Sequence, residues 1–145
     1  MRAIVQRVSS AAVGVDERLV SQIGNGLVVL VGVHRDDTLE DAKKLANRIA
    51  GMRIFPDDQG KMNVALAEAS GSVLAVSNFT VYGDASQRRP SFVLSASYEL
   101  GMELFDRFVQ ELRQLEVPVE TGEFGAEMRV AICNEGPVTL VVDTR

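Results

Sequence analysis

The chain has few of the residues from which metal sites and disulfides are built. Among its 145 residues there is one cysteine, Cys133, and one histidine, His34. One cysteine cannot form a disulfide within the chain, and one histidine cannot assemble a cage of His and Cys ligands around zinc. We therefore expect no metal ion and no cofactor.

Long hydrophobic runs are also missing. The longest apolar run covers residues 27–33, far below the ~20 residues that span a bilayer. The first ten residues include Arg2, Gln6 and Arg7, where a signal peptide has its hydrophobic stretch. These features predict a cytoplasmic protein. A chain of 145 residues, 46% hydrophobic and 24% charged, is typical of one globular domain, so we expect residues 1–145 to fold together.

The net charge of −5 argues against a nucleic-acid partner, but the acidic residues are unevenly placed. Residues 99–127 contain eight acids and two arginines, and the rest of the chain sums to +1. One short interval, opposed only by Asp57 and Asp58, contains Lys43, Lys44, Arg48, Arg53 and Lys61. This interval is compatible with a phosphate-binding surface. A solvated helix face is the alternative interpretation.

The apolar pattern predicts short strands and two long helices. The strands fall at residues 3–8, 11–15, 19–23, 27–33, 72–76, 128–133 and 138–142. One helix opens at Asp36-Asp37-Thr38 and ends at Gly51; the other covers about 97–115. Asn25-Gly26, between two apolar runs, predicts a hairpin turn. Because strands and helices do not alternate strictly, we expect an α+β domain with a largely antiparallel, barrel-like sheet.

Two polar segments are not explained by packing. Residues 77–84 read SNFTVYGD and follow a predicted strand, in the kind of position where binding and catalytic residues collect. A polar strand end followed by a turn is the structural alternative.

The second segment, residues 134–139, reads NEGPVT and is predicted to be a turn between two apolar strands. A Gly-Pro turn can present consecutive carbonyl oxygens in one direction, which suits a cationic group such as an ammonium. An ordinary hairpin turn with a trans proline is the alternative.

The side chains offer hydroxyl groups but no evident base. Ser77, Thr80 and Thr139 carry hydroxyls, and the only histidine, His34, follows a predicted central strand and is expected to be structural. Cys133 ends an apolar strand and is expected to be a buried small hydrophobe. An enzyme with this sequence would rely on positioning, backbone donors and a group on the substrate itself.

At these two segments the chain resembles the D-aminoacyl-tRNA deacylase family. The family motifs Ser-Gln-Phe-Thr and Asn-x-Gly-Pro-Val-Thr correspond to SNFT at residues 77–80 and NEGPVT at residues 134–139. The likeness extends to MRAIVQRV at residues 1–8, GKMN at 60–63 and RPSF at 89–92, in the family's order. One position departs from the pattern, because Asn78 stands where the family usually has glutamine.

The resemblance implies an ester hydrolase that removes D-amino acids from mischarged tRNA, and also acts on achiral glycyl-tRNA. It implies a homodimer with the pocket at the subunit interface, where a cis Gly136-Pro137 peptide enters the partner's pocket, holds the substrate ammonium and rejects L-amino acids. Asn78 would contribute to substrate binding, and Ser77, Phe79 and Thr80 would form the catalytic site around the terminal adenosine. The resemblance points to assistance by the 2′-hydroxyl of the tRNA, with Thr80 as the alternative nucleophile.

The sequence also predicts which residues contact the tRNA, and it leaves one alternative function. Lys43, Lys44 and Arg48 are the predicted tRNA contacts, chosen from the basic interval described above. The alternative function is a non-catalytic module of the same fold that binds RNA or a small ligand.

Overall fold

A computed structural model describes residues 1–145. Its strands are β1 (Arg2–Val15), β2 (Arg18–Ile23), β3 (Gly26–Gly32), β4 (Phe55–Pro56), β5 (Met62–Val64), β6 (Ser72–Ser77), β7 (Val119–Thr121) and β8 (Arg129–Asp143). Its helices are α1 (Leu39–Gly51), α2 (Tyr98–Gln114) and a short 3-10 helix (Phe79–Tyr82). Neither long helix has the length and apolarity needed to cross a membrane.

The longest antiparallel pairing in the sheet joins β1 to β8. β8 runs along one edge of β1, while β3 and then β2 pair with successive halves of the other edge. β6 lies parallel to β3, and β7 lies parallel to β6. The hydroxyl of Ser21 in β2 donates to the carbonyl oxygen of Thr121 in β7 at 2.7 Å, so the sheet curls until it is nearly a closed barrel.

The α+β prediction is confirmed, but the sheet is mixed because β3, β6 and β7 are parallel. Parallel neighbours need a crossover connection, and here α1 lies between β3 and β6 while α2 lies between β6 and β7. Two pairs of predicted strands are merged: residues 3–8 and 11–15 both belong to β1, and residues 128–133 and 138–142 belong to β8 apart from Met128.

Both predicted long helices are present close to their expected bounds. Thr38 and Asp41 form a reciprocal capping box at the start of α1, and Ser97 caps α2 by accepting from the Leu100 amide. The apolar faces of both helices pack against one side of the sheet in a cluster of 22 buried residues. A second cluster of seven, including Val13, Val28 and Leu74, fills the interior of the barrel.

The predicted hairpin at Asn25-Gly26 is wrong. β2 and β3 do not pair with each other; both pair with β1, and the actual hairpin turn is at Asp16-Glu17, where Asp16 has a φ of 53°. Glycine is needed at position 26 because β3 and β6 approach each other closely there. A Cβ added to Gly26 would lie 1.9 Å from the backbone oxygen of Ser72, the first residue of β6.

Gly26→Ala is therefore expected to destabilise the protein by more than about 2 kcal/mol, because backbone rather than a flexible side chain must move to admit the methyl group. Gly24→Ala is the matched control, since a Cβ at Gly24 meets nothing within 4 Å; its effect should stay within about 1 kcal/mol. Urea denaturation of both variants provides the comparison. Equal stabilities for the two would contradict the close approach of β3 and β6.

Candidate functional site

An apolar cavity of about 730 Å³ lies at the open end of the barrel. Twelve of its 17 lining residues are hydrophobic, so it suits a flat apolar group better than an ion. Its walls come from the ends of β3 and β6, the start of α2, the loop before β8 and the first residues of β8. Tyr98 is the only titratable residue among those that line it.

Asn78 shapes the polar rim of this cavity. Its backbone amide continues the sheet by donating to the Val31 carbonyl at 2.8 Å, and its side chain then begins the 3-10 helix. The Asn78 Oδ1 accepts from the Thr80 backbone amide at 3.2 Å and also from the Thr80 hydroxyl. The Thr80 hydroxyl thus donates its hydrogen bond to an amide oxygen, which is not a base that could activate it.

Tyr82 anchors the far end of the 3-10 helix. Its ring is buried, with the Arg2 guanidinium 4.7 Å from the ring centre, and its hydroxyl has no hydrogen-bond partner. Burial, with the negative charges of Asp37 and Asp143 adding to it, raises the pKa of Tyr82 to about 12. The phenol therefore stays neutral at physiological pH and acts as a packing group that fixes the helix carrying Thr80.

The Gly-Pro segment is a bulge and not the predicted turn. Gln6 pairs with Thr139 and Val8 pairs with Asn134, so residues 135–138 of β8 stand opposite the single residue Arg7 of β1. A four-against-one mismatch forces the chain out of the sheet while the strand continues in the same direction. The Gly136-Pro137 peptide at its tip is cis, as the resemblance implies, and both residues are exposed.

Two sets of hydrogen bonds hold the bulge: one from Arg7 of β1, and one at its neck, where Asn134 and Thr139 face each other. The Arg7 guanidinium donates to the carbonyl oxygens of Glu135 at 3.3 Å and Ile54 at 2.7 Å. Across the neck, the Asn134 amide donates to the Thr139 hydroxyl at 3.0 Å and accepts from the Val138 backbone amide at 3.3 Å. The first and last residues of NEGPVT, Asn134 and Thr139, thus bond to each other.

The structure brings some predicted site residues together and separates others. Ser77, Asn78 and Phe79 line the cavity, whereas Thr80 lies just outside it. Gly136 and Pro137 do not line the cavity of their own chain. Lys43, Lys44 and Arg48 are exposed on α1 and are not cavity residues, and Arg48 donates to the Asp143 carbonyl oxygen. Their role in tRNA binding stays a prediction.

His34 and Cys133, which the sequence predicts to be structural, do not line the cavity. His34 is a structural residue, since its Nδ1 accepts from the Asp36 amide at 3.1 Å and its ring packs edge-on against Tyr82. The expectation of a buried Cys133 is wrong. Its side chain is exposed, because nothing in the chain covers the outward face of β8.

Sequence reasoning missed the residues that close the cavity from the far side. Phe124 packs edge-on against Tyr98 with ring centres 5.1 Å apart, and Met128 lies immediately before β8. The signal was an aromatic residue between Gly122 and Gly125 after the second helix, hidden within the acidic segment. Arg7 was also missed, although it is the one charged residue within the predicted strand at residues 3–8.

The fold is shared with solved structures. A structure described as a probable eukaryotic D-amino acid tRNA deacylase superposes with a TM-score of 0.81 over 97% of both chains, at 20% identity. Another, described as the c-Myc DNA Unwinding Element Binding Protein, reaches a TM-score of 0.94 at 33% identity and covers 100% of this chain and 99% of its own.

Sequence comparison identifies the family. The family model for D-Tyr-tRNA(Tyr) deacylase matches residues 4–143. The D-aminoacyl-tRNA deacylase of Fervidobacterium nodosum is 51% identical over 100% of this chain and 98% of its own length. That of Geobacter sulfurreducens is 49% identical over 100% and 96%. The chain belongs to the D-Tyr-tRNA(Tyr) deacylase family.

Proposed function

We propose that this protein hydrolyses the ester bond of D-aminoacyl-tRNA in the cytoplasm and releases free tRNA and a D-amino acid. The observation that carries this proposal is the match to the deacylase family along the whole chain, including both motifs. The apolar cavity is compatible with a terminal adenine, and the polar rim formed by Ser77 and Asn78 lies where the ribose and ester would follow.

We infer that two copies of the chain complete each site. The exposed tip of the bulge lies outside its own cavity, so its carbonyl oxygens are available to another molecule. Exposed apolar side chains of β8 support a second copy as that molecule, because Val141 is 66% exposed, Leu140 is 38% exposed and Cys133 is exposed as well. A symmetric dimer through β8 would bring each bulge to the partner's cavity.

In the proposed filter, main-chain atoms of Gly136-Pro137 distinguish D-aminoacyl from L-aminoacyl substrates. Carbonyl oxygens at Gly136-Pro137 would hold the substrate ammonium, and the same rigid backbone would leave no room for an L side chain. A side-chain pocket discriminates by only ~1 to 3 kcal/mol per methylene group, whereas a backbone wall excludes a misplaced side chain sterically. Gly136 has a φ of 125°, and a Cβ there would lie 3.0 Å from the Arg7 guanidinium, which supports glycine at this position.

The chemistry we propose needs no ionised side chain. Water adds to the ester carbonyl carbon, the bond from that carbon to the ribose oxygen breaks, and the oxygen takes up a proton. The neighbouring 2′-hydroxyl of the terminal ribose would relay protons, because no side chain at the cavity is a suitable base. Ser77, Phe79 and Thr80 would position the ester, with Phe79 available for stacking since its side chain is 59% exposed.

The direct test uses three substrates: D-tyrosyl-tRNA, L-tyrosyl-tRNA and glycyl-tRNA. The filter predicts that kcat/KM for the D form exceeds that for the L form by more than about 200-fold, beyond the usual discrimination of a side-chain pocket. Glycyl-tRNA should be cleaved, because glycine lacks the side chain that the backbone rejects. Comparable cleavage of the D and L forms would contradict the filter and leave general esterase activity.

A second candidate is a module that binds nucleic acid without catalysis. The observation in its favour is the 33% identity to a structure whose name describes binding to a DNA unwinding element. Retention of tRNA by this protein without release of any amino acid in the three-substrate assay would select this candidate over the deacylase.

The role of Thr80 has its own test. Because the Thr80 hydroxyl donates to Asn78, we expect Thr80→Ala to cleave D-tyrosyl-tRNA within about tenfold of the wild-type rate in single-turnover experiments with enzyme in excess. Thr80→Val is the control of matched shape. A loss of about 10⁴-fold in both variants, with substrate binding intact, would establish Thr80 as the nucleophile and overturn substrate assistance.

A further inference from the structure

The segment that joins the 3-10 helix to α2 contains a closed loop, residues Asp84–Ser91, which we name the arginine loop. Its two ends are joined by reciprocal backbone hydrogen bonds, from the Asp84 amide to the Ser91 carbonyl at 2.8 Å and from the Ser91 amide to the Asp84 carbonyl at 2.9 Å. The Asp84 carboxylate accepts from the Ser86 amide at 2.9 Å and so orders the first turn. The base of the loop is therefore a fixed structure.

The arginine loop is attached directly to the cavity rim. Phe92, the residue that follows it, packs edge-on against Phe79 with ring centres 5.3 Å apart. The same ring lies over Gly83, where an added Cβ would be 2.8 Å from it. A little further along, the Ser95 hydroxyl donates to the Phe79 carbonyl oxygen at 2.9 Å. These contacts fix both the base of the loop and the cavity residue Phe79 in one arrangement.

The guanidinium groups of this loop are unengaged. Nine of the twelve arginines donate a hydrogen bond within the chain. The other three, Arg88, Arg89 and Arg129, have neither a hydrogen bond nor an ion pair and are exposed, and only Arg88 and Arg89 are neighbours in the chain. Pro90 restricts the preceding Arg89 to extended conformations, which reduces the freedom that binding must remove. Two adjacent free guanidinium groups match the charge and the bidentate geometry of phosphate oxygens.

We propose that Arg88 and Arg89 bind backbone phosphates of the tRNA acceptor end, next to the nucleotide held in the cavity. This inference rests on the proposed function, because it takes the cavity as the position of the terminal adenosine. The two arginines are three and two residues from Ser91, and at ~3.3 Å per residue they lie within about 10 Å of the fixed base. That reach covers the nucleotides that immediately precede the last one. The acidic segment of residues 99–127 would repel the strand and so direct it towards this loop.

The test measures the affinity of uncharged tRNA between low and moderate salt for the wild-type protein and three double variants. Each phosphate contact on a single strand contributes about 0.7 to the slope of log K against log salt concentration. We expect R88Q/R89Q to lower the magnitude of the slope by about 1.4. R88K/R89K keeps the charges and should keep the slope. R18Q/R113Q removes the same charge from β2 and from the end of α2 and should leave the slope within about 0.3 of wild type.

Each outcome decides the proposal. A wild-type slope for R88Q/R89Q, or an equal fall for R18Q/R113Q, would overturn it, the second because the effect would then follow net charge alone. With D-tyrosyl-tRNA, R88Q/R89Q should raise KM with kcat nearly unchanged, since the lost contacts hold substrate and transition state alike. A wild-type protein that binds tRNA but releases no amino acid would refute the proposed function alone, because the slope experiment does not depend on hydrolysis.

Discussion

The guanidinium group of Arg7 lies where β1 and β8 lose their pairing, because four residues of β8, 135–138, stand opposite Arg7 alone. Its two hydrogen bonds, to the carbonyl oxygens of Glu135 and Ile54, tie the bulge to the body of the protein. A bulge of this size would otherwise be an ordinary mobile loop. Because Arg7 binds one carbonyl at its base, and Asn134 joins Thr139 across its neck, the Gly136-Pro137 tip is held in a defined position. A backbone filter requires this kind of rigidity.

The rest of the fold supplies the cavity that such a filter would serve. The nearly closed barrel has its own small core, and its open end is not filled by side chains but lined by them. β6 ends at this opening, and Asn78 turns the chain into the 3-10 helix that carries Phe79 and Thr80. Buried Tyr82 fixes the other end of that helix. The polar rim, the apolar cavity and the adjacent loop thus share one rigid support.

Local signals were sufficient for the helices and for the two motifs. The capping residues Thr38 and Asp41 predicted the start of α1. In both helices the apolar residues recur at about 3.6-residue spacing, which places them on one buried face. The strand pairings were harder, because Asn25-Gly26 has the composition of a hairpin turn while Gly26 is needed for its contact with Ser72. β3, β6 and β7 are parallel because α1 and α2 connect them by crossing the sheet. The spacing of apolar residues does not reveal the path of these connections.

The site itself was predicted in part. The motifs identified Ser77, Asn78 and Phe79, which do line one cavity, and Gly136-Pro137, whose bulge could not be foreseen because it results from a register mismatch with β1. Phe124 and Met128 come to the cavity from a distant part of the chain, so only tertiary structure reveals them. Cys133 looked like a core residue because its strand is apolar, yet an uncovered sheet face leaves it exposed.

The measurement that most directly tests the account is complementation between two inactive chains. Gly136→Ala would displace the bulge, since its Cβ meets Arg7, and Ser77→Phe would fill the cavity. If the bulge of one chain acts in the cavity of another, mixed dimers contain one intact site, and co-expression should restore roughly a quarter of wild-type D-aminoacyl-tRNA cleavage. Activity no greater than the sum of the two separate variants would contradict the shared site.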